Sequence, residues 1–162
     1  MQHLSVMALF CEDIREEVGG TFSLIGVLPD SLILGDPRRP APDGQSIPVL
    51  NRVLSRLCLF ARLHFDPDFD PGEPKLRLSG LRDTPIELGS ASHAVVNESR
   101  SEAKSKGNVF AGVVFRLNFE GFRFPPKSGV FLVEIIVNDE AYIAGTLRYF
   151  VPNDNVTSST EH

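Results

Sequence analysis

The sequence predicts an all-β protein that folds as one antiparallel β-sandwich of seven to nine strands, immunoglobulin-like in general shape. Apolar and polar residues alternate with a period of two in several segments. Twelve prolines and thirteen glycines separate these segments, and the last apolar segment returns on itself through a short polar turn. Short alternating strands with frequent turns are typical of sandwiches and barrels.

The first 28 residues are predicted to form a hairpin. The extended run HLSVMALFCEDI is followed by the charged REEVGG and then by a second extended run, TFSLIGVL. Gly19 and Gly20 can supply the positive φ angles of a tight turn. We therefore interpret the charged residues between the runs as the solvated end of a hairpin rather than a reaction centre. They are Glu12, Asp13, Arg15, Glu16 and Glu17.

Four segments depart from the strand pattern. Residues 35–48 are rich in proline and are predicted to be an irregular connection. One short helix is predicted near 49–56, because apolar residues recur there at helical spacing. The polar segment 97–107 lacks apolar anchors and is predicted to be a mobile loop. A single domain is expected over 1–151, with a disordered tail at 152–162.

Alternation predicts which residues of the later strands face the core. In the strand at 57–65 they are Leu57, Leu59, Ala61, Leu63 and Phe65. In the next two strands they are Leu76 and Leu78, then Val113, Phe115, Leu117 and Phe119. The closing hairpin turns at Asn138-Asp139-Glu140. Its inward residues are Phe131, Val133, Ile135 and Val137 on the first strand, and Ile143, Leu147 and Tyr149 on the second.

A run of acidic residues, FDPDFDPGEP, raises the alternative of a calcium-dependent or other small-ligand site. Asp66, Asp68, Asp70 and Glu73 carry the oxygen ligands that Ca²⁺ prefers. The segment is not an EF-hand loop, because prolines interrupt it and Arg77 stands where the bidentate acid would be. Asp-Pro and Pro-Gly are ordinary turn pairs, so turn chemistry also explains the run. We call residues 66–73 the acidic loop.

Enzymatic motifs do not emerge from the sequence. It contains neither a Gly-x-Ser-x-Gly elbow nor a phosphate-binding glycine loop. Its two cysteines and four histidines show no zinc-ligand spacing. Two acids follow Cys11 and would raise its pKa, so a structural thiol is expected there rather than a nucleophile paired with His64 or His93. The chain is therefore predicted to be neither an enzyme nor a cofactor-binding protein.

The charge and the termini restrict the expected partners. The net charge of −5 argues against a nucleic-acid-binding surface. The apolar runs are shorter than a membrane span requires. The N-terminal residues lack the basic and small-residue regions of an export signal, and two thiols suit a reducing compartment. These observations predict a cytoplasmic location without membrane or nucleic-acid partners.

The stretch LFCEDIREEVGGTFSLIGV resembles the opening of a family of uncharacterised bacterial all-β proteins. The shared features are a strand that ends in Cys-x-Asp, a nearby Arg and acid, a Gly, and a Leu-Ile-Gly-Val strand. The resemblance covers about twenty residues and continues through 57–65 and 129–151, whereas 35–48 and 97–107 depart from it. It implies a bacterial, cytoplasmic, all-β protein, and it carries no activity or catalytic residue.

Two apolar features suggest that the surface binds another protein. Leu4, Val6, Ala8 and Phe10 alternate with Met7 and Leu9, so the first strand is apolar on both faces. A single core buries one of these faces, and the other requires a cover. Phe122 and Arg123, in FRLNFEGFRF, are residue types enriched at interface hot spots. The sequence thus favours a non-catalytic interaction or scaffold module of a bacterial cytoplasmic assembly. Its partner would be a second copy or a protein encoded by a neighbouring gene.

Overall fold

A computed structural model describes residues 3–35 and 49–152 of the chain. Strands dominate the described residues, so the predicted all-β class is confirmed. The elements in chain order are β1 (Leu4–Cys11), β2 (Asp13–Glu16), β3 (Phe22–Ile25), β4 (Ser31–Leu34), β5 (Val49–Leu50), β6 (Val53–Phe65), β7 (Lys75–Ser79), β8 (Ile86–Ser90), α1 (His93–Lys106), β9 (Ala111–Arg123), β10 (Gly129–Val137) and β11 (Glu140–Phe150).

Three strands form an antiparallel sheet in the order β1-β6-β9. We call it the three-stranded sheet. Successive side chains of a strand point to opposite faces, and the centre of β6 follows this rule. Its buried inner-face residues are the five that alternation predicted, namely Leu57, Leu59, Ala61, Leu63 and Phe65. On β9, Val113 and Phe115 are buried on the same face.

A second, six-stranded sheet has the order β5-β4-β11-β10-β7-β8. Its strands from β11 to β8 pair antiparallel, as predicted. The pairs of β4 with β11 and of β4 with β5 are parallel, so the sheet is mixed at one edge. The inner face buries Leu76 and Leu78 of β7 and the predicted inward set of β10.

The inner faces of the two sheets pack together around a group of aromatic rings. Phe131 of β10 lies at the centre of this group, and its ring centroid is 6.1 Å from that of Phe10 in β1. Phe122, Phe124 and Tyr149 lie within 5.9 Å of the same ring. Because these rings come from both sheets, the fold is sandwich-like.

Close contact between β1 and β11 joins one side of the two sheets. A Cβ atom at Gly145 would lie only 2.5 Å from the carbonyl oxygen of Ala8. This is shorter than any ordinary contact, so a side chain at position 145 would push the two backbones apart. Glycine is therefore required where these strands meet.

The polar segment 97–107 lies almost entirely in helix α1, so the prediction of a mobile loop was wrong. The Ser92 side chain accepts a hydrogen bond from the Val95 backbone N–H at the start of the helix. The helix ends at Gly107 in the left-handed conformation, a common helix terminator. It buries only Val96 and Ala103, and two apolar positions seven residues apart give a weak periodic signal.

The prediction of a short helix near 49–56 was wrong as well, because strands occupy most of this segment. Val49 and Leu50 form β5, and β6 begins at Val53. Leu54 lies opposite Phe122 in the β6–β9 register. Pairing with a long neighbouring strand outweighs the local helical spacing, as tertiary contacts commonly do.

The N-terminal hairpin forms, but with a shorter first strand than predicted. Gly19 and Gly20 both have positive φ, at 93° and 76°, as the turn requires. Residues 13–16 pair with residues 22–25, and the Glu12 and Leu28 backbone N–H groups donate further hydrogen bonds between the two arms. The preceding strand β1 instead pairs along its length with β6, with Leu4 opposite Phe65. We call β2 and β3 the N-terminal hairpin.

The closing hairpin forms as predicted, but one residue that was predicted to face the core, Ile143, faces outward. Its turn has positive φ at Asn138 (50°) and Asp139 (66°), a pattern typical of two-residue hairpin turns. Leu147 is buried as expected, whereas Ile143 is 65% exposed. The β10–β11 register shifts between Val133 and Glu134. This irregularity places Ile143 on the outer face of the sheet, because one extra residue reverses the alternation.

Several predictions concern residues that the structure leaves undescribed. The proline-rich connection 35–48 lies outside the described residues from position 36 onwards, as does the tail from position 153. In the described ranges, the single helix is too short and too polar to cross a membrane. The cytoplasmic location stays a prediction.

Candidate functional site

The acidic loop uses its carboxylates mainly to fix its own backbone. Asp66 Oδ1 accepts a hydrogen bond from the backbone N–H of Asp68 at 2.9 Å. Asp70 Oδ1 accepts one from the backbone N–H of Gly72 at 3.1 Å. Such contacts are typical of Asx turns. Glu73, at the end of the loop, accepts a hydrogen bond from the backbone N–H at the start of α1.

Positively charged side chains of α1 contact the carboxylates of the acidic loop. Lys104 Nζ lies 2.6 Å from Asp68 Oδ1, and Arg100 lies 3.8 Å from Asp70 Oδ1. The Lys104 hydrogen bond holds the pKa of Asp68 below its ordinary value. Among the residues that the structure describes, no three or more acidic, histidine or cysteine side chains converge as a metal site would require. The predicted calcium ligands are therefore not gathered around one point.

Of the predicted partner-binding residues, Phe122 does not lie on the surface. Its side chain is 7% exposed and belongs to the core. Its ring centroid lies 5.1 Å from that of Phe124 and 5.9 Å from that of Phe131. The next residue, Arg123, is exposed at the end of β9 opposite Val53. The pair therefore separates into one core residue and one surface residue.

Met7 and Leu9 lie on the outer face of the three-stranded sheet, as alternation predicts. Met7 is 42% exposed, and Leu9 is half-buried opposite Phe60. The N-terminal hairpin covers the neighbouring part of this face, because the ring of Phe22 packs 5.8 Å from that of Phe60. The chain thus covers part of its second apolar face and leaves Met7 accessible.

Charged residues of the N-terminal hairpin form ion pairs with the sheet beneath them. Asp13 contacts Arg15 and Arg56, each at 3.1 Å. Glu16 lies 2.8 Å from Arg116, whose guanidinium also sits 4.8 Å above the Phe22 ring. The charged residues between the two N-terminal extended runs thus lie at the exposed end of a hairpin, where arginines partly neutralise the acidic side chains.

A hollow of about 470 Å³ separates the N-terminal hairpin from α1. The hydroxyl of Ser99 in its wall donates a hydrogen bond to the Gly112 carbonyl and accepts one from the Gly112 N–H. Glu102 in the same wall is paired with Lys106. Arg62 reaches this hollow from β6 and also lines a neighbouring one of about 230 Å³. The serine and the acid are therefore held in structural contacts.

Cys11 and His64 do not form a nucleophile–base pair. Burial, followed by the nearby Cys58, raises the pKa of the Cys11 thiol to about 11. Burial, followed by the Arg62 charge, lowers the pKa of His64. His64 lies six residues beyond Cys58 on β6, about 20 Å away at the usual strand rise, and stacks on the Phe110 ring. The raised pKa therefore favours the protonated form of the Cys11 thiol while it is buried.

An uncovered apolar surface lies on the outer face of the six-stranded sheet, which the sequence did not single out. Ile143 is 65% and Phe150 is 48% exposed, and Val130 is also exposed. Leu132 and Ile136 are half-buried on the same face. We call these five residues the outer patch. Alternation in VFLVEII is a signal that could have found part of this patch, but the register shift that turns Ile143 outward leaves no simple sequence signal.

No protein-family model matches the sequence, and no curated protein is detectably similar to it.

Proposed function

We propose that this chain is a non-catalytic interaction module that binds a second copy of itself through the outer patch. The observation that carries the proposal is the collection of exposed apolar side chains on one continuous sheet face. Soluble proteins rarely leave such a surface in contact with water unless it binds something. Of the polar groups nearest to a catalytic arrangement, Ser99 is held by hydrogen bonds to the Gly112 backbone, and burial raises the pKa of the Cys11 thiol.

The register of β10 and β11 makes the outer patch continuous. Val130 lies opposite Arg148, and Ile136 lies opposite Ala141. Between them, Ile143 lies opposite Glu134. Directly opposed side chains on one face of a sheet are about 5 Å apart. Most patch residues thus have a charged or polar residue directly opposite, and the apolar side chains are diagonal neighbours, about 7–8 Å apart and within reach of long side chains.

Charge favours a second copy as the occupant of this face. The whole chain carries a net charge of −5, so two copies repel each other over most of their surfaces. On the outer face, Glu134 is neutralised by Arg77 at 2.9 Å, and Glu87 lies 3.5 Å from Lys75. Arg148 adds a positive charge. This face is therefore one on which two acidic molecules can approach without repulsion.

The dimensions of the sheet also suit a small homodimer. Strands lie about 4.8 Å apart and rise about 3.3 Å per residue. Strands β11, β10, β7 and β8 have 11, 9, 5 and 5 residues, so they present roughly 500 Å² per copy, or about 1,000 Å² for the pair. This is the lower limit for specific interfaces. The dimer is accordingly expected to be weak and to dissociate on dilution.

The proposal is tested by sedimentation equilibrium over a range of protein concentrations. The wild type is expected to show a concentration-dependent monomer–dimer equilibrium. Ile143→Glu places a charge at the centre of the outer patch, so association should weaken about tenfold or more. Met7→Glu is the matched control, because it adds the same charge at a similarly exposed apolar residue on the opposite sheet. Circular dichroism establishes that both variants remain folded.

Two results would contradict the proposal. If the wild type is monomeric at every concentration, self-association is wrong. If Met7→Glu weakens the dimer while Ile143→Glu does not, the interface lies on the three-stranded sheet, where the sequence placed it.

A further inference from the structure

Two free thiols face each other under the N-terminal hairpin. Cys11 and Cys58 are directly opposite in the β1–β6 register, and both are fully buried. Both side chains nevertheless project from the outer face of the three-stranded sheet. Cys58 alternates with the buried inner residues of β6, and Cys11 shares a face with Met7. Their burial therefore comes from the hairpin above and not from the core of the sandwich.

The contacts around the thiols identify their cover. The Cys58 thiol donates a hydrogen bond to Asn118 Oδ1 at 3.0 Å and lies 3.5 Å from the carbonyl oxygen of Glu12. Glu12 is the residue at which the chain leaves β1 and enters the hairpin, and its backbone N–H donates to the Ile25 carbonyl of β3. The hairpin thus begins directly above the thiol pair.

The N-terminal hairpin is attached to the sheet by exposed ion pairs with Arg56 and Arg116 and by the packing of Phe22 on Phe60. Its two strands pair only with each other, over four residues each. Arg116 provides two of the attachments, through its ion pair with Glu16 and its position above the Phe22 ring. Exposed ion pairs contribute little to stability, and isolated two-stranded hairpins are marginally stable. Local opening of this hairpin should therefore occur far more often than global unfolding.

We propose that Cys11 and Cys58 form a reversible internal disulfide when a small disulfide oxidant reaches them through the opened hairpin. Opposed residues of antiparallel strands have Cα atoms about 4.5–5.5 Å apart, within the range that disulfides span. One cysteine attacks a sulfur of the oxidant and releases one reduced thiol. The second cysteine then attacks the mixed disulfide and releases the other. Two electrons pass to the oxidant, and the two cysteine protons end on the two released thiols.

Burial explains why the pair stays reduced while the hairpin is closed. The attacking species is the thiolate, and burial raises the pKa of Cys11 to about 11 and also raises that of Cys58. Opening the hairpin admits water and removes the main cause of both shifts. Hairpin opening would thus control the rate of oxidation. The inference does not rest on self-association, because the outer patch lies on the other sheet.

The test uses the full chain and glutathione disulfide at pH 8, followed by alkylation and intact mass measurement. The expected product has lost two hydrogen atoms, accepts no alkylating agent, and yields a cross-linked peptide that contains Cys11 and Cys58. Dithiothreitol should restore both thiols. Cys58→Ser should instead give a glutathione adduct at Cys11.

The role of the hairpin is tested with a matched pair of arginine variants on β9. Arg116→Met removes two of the attachments of the hairpin, while the Asp13–Arg56 ion pair and the Phe22–Phe60 packing remain, and it should raise the oxidation rate about tenfold. Arg123→Met removes an exposed arginine from the same strand, away from the hairpin, and should leave the rate unchanged. The disulfide itself is refuted if both thiols stay free in the folded chain under conditions that oxidise the urea-unfolded chain. If Arg116→Met is oxidised at the wild-type rate, the proposal that hairpin opening controls oxidation is wrong.

Discussion

Replacing Phe122 with alanine distinguishes a core residue from an interface residue. The side chain is 7% exposed, and its ring packs edge-on against Phe119, Phe124 and Phe131 at centroid distances of 5.1–5.9 Å. Removing a buried phenylalanine costs about 3–5 kcal/mol in lost burial and residual cavity. The lost edge-to-face pairs contribute about 0.5–1.5 kcal/mol each within such totals. We therefore expect Phe122→Ala to lower the free energy of unfolding by about 4 kcal/mol.

Urea unfolding followed by circular dichroism measures this loss. With a slope of about 2 kcal/mol per molar urea, the midpoint should fall by about 2 M. The variant should still fold in water, since domains are commonly stable by about 5–15 kcal/mol. Phe110→Ala is the control, because that ring is 45% exposed and its removal should cost less than about 1 kcal/mol. A loss below about 1 kcal/mol for Phe122→Ala, with weakened self-association, would refute the core assignment.

Two further predictions concern the backbone and the acidic loop. Gly80 has φ +94°, and a Cβ there would lie 1.9 Å from the Val130 carbonyl oxygen. In thermal melts, Gly80→Ala should therefore lower the free energy of unfolding by more than about 3 kcal/mol. Gly107 has φ +66° but open space around the Cβ position, so Gly107→Ala should lower the free energy of unfolding by about 1 kcal/mol. The Asp68 carboxyl should titrate below its ordinary 3.8 in NMR, because Lys104 stabilises its charged form. Its stabilising effect is present above the ordinary pKa and is lost as pH falls through the lowered one. Lys104→Met should move the titration back up, and an unchanged titration would show that the pair does not form in solution.

The inner faces of the strands were predictable where apolar residues recur at every second position. Alternation placed Leu57 to Phe65 and Phe131 to Val137 correctly, because a period of two follows directly from strand geometry. It failed at Ile143, because a register irregularity depends on the partner strand. The immunoglobulin-like detail of the topology stays a prediction, and the parallel pairing of β4 with β11 gives no local sequence signal.

The helix was missed because its stability does not come from an apolar face. Helix α1 buries only Val96 and Ala103, and its cations contact acidic-loop residues that lie 30 and 36 positions earlier in the chain. Neither partner reveals that contact in its own sequence. The same contact explains why the predicted calcium ligands do not converge. Asp68 and Asp70 face Lys104 and Arg100 instead of a common centre. The candidate docking surface likewise required the fold, because it combines residues of β10 and β11.

The position of β11 determines when this protein can fold during synthesis. This strand lies between β4 and β10 in the six-stranded sheet and also runs beside β1. The early strands therefore leave the ribosome long before their shared neighbour exists. The turn at Asn138 and Asp139 then allows β11 to pair at once with β10, since a two-residue connection requires little loop closure. The six-stranded sheet is completed only after residue 150 has emerged, so a nascent chain that stalls earlier exposes unpaired strand edges to its neighbours.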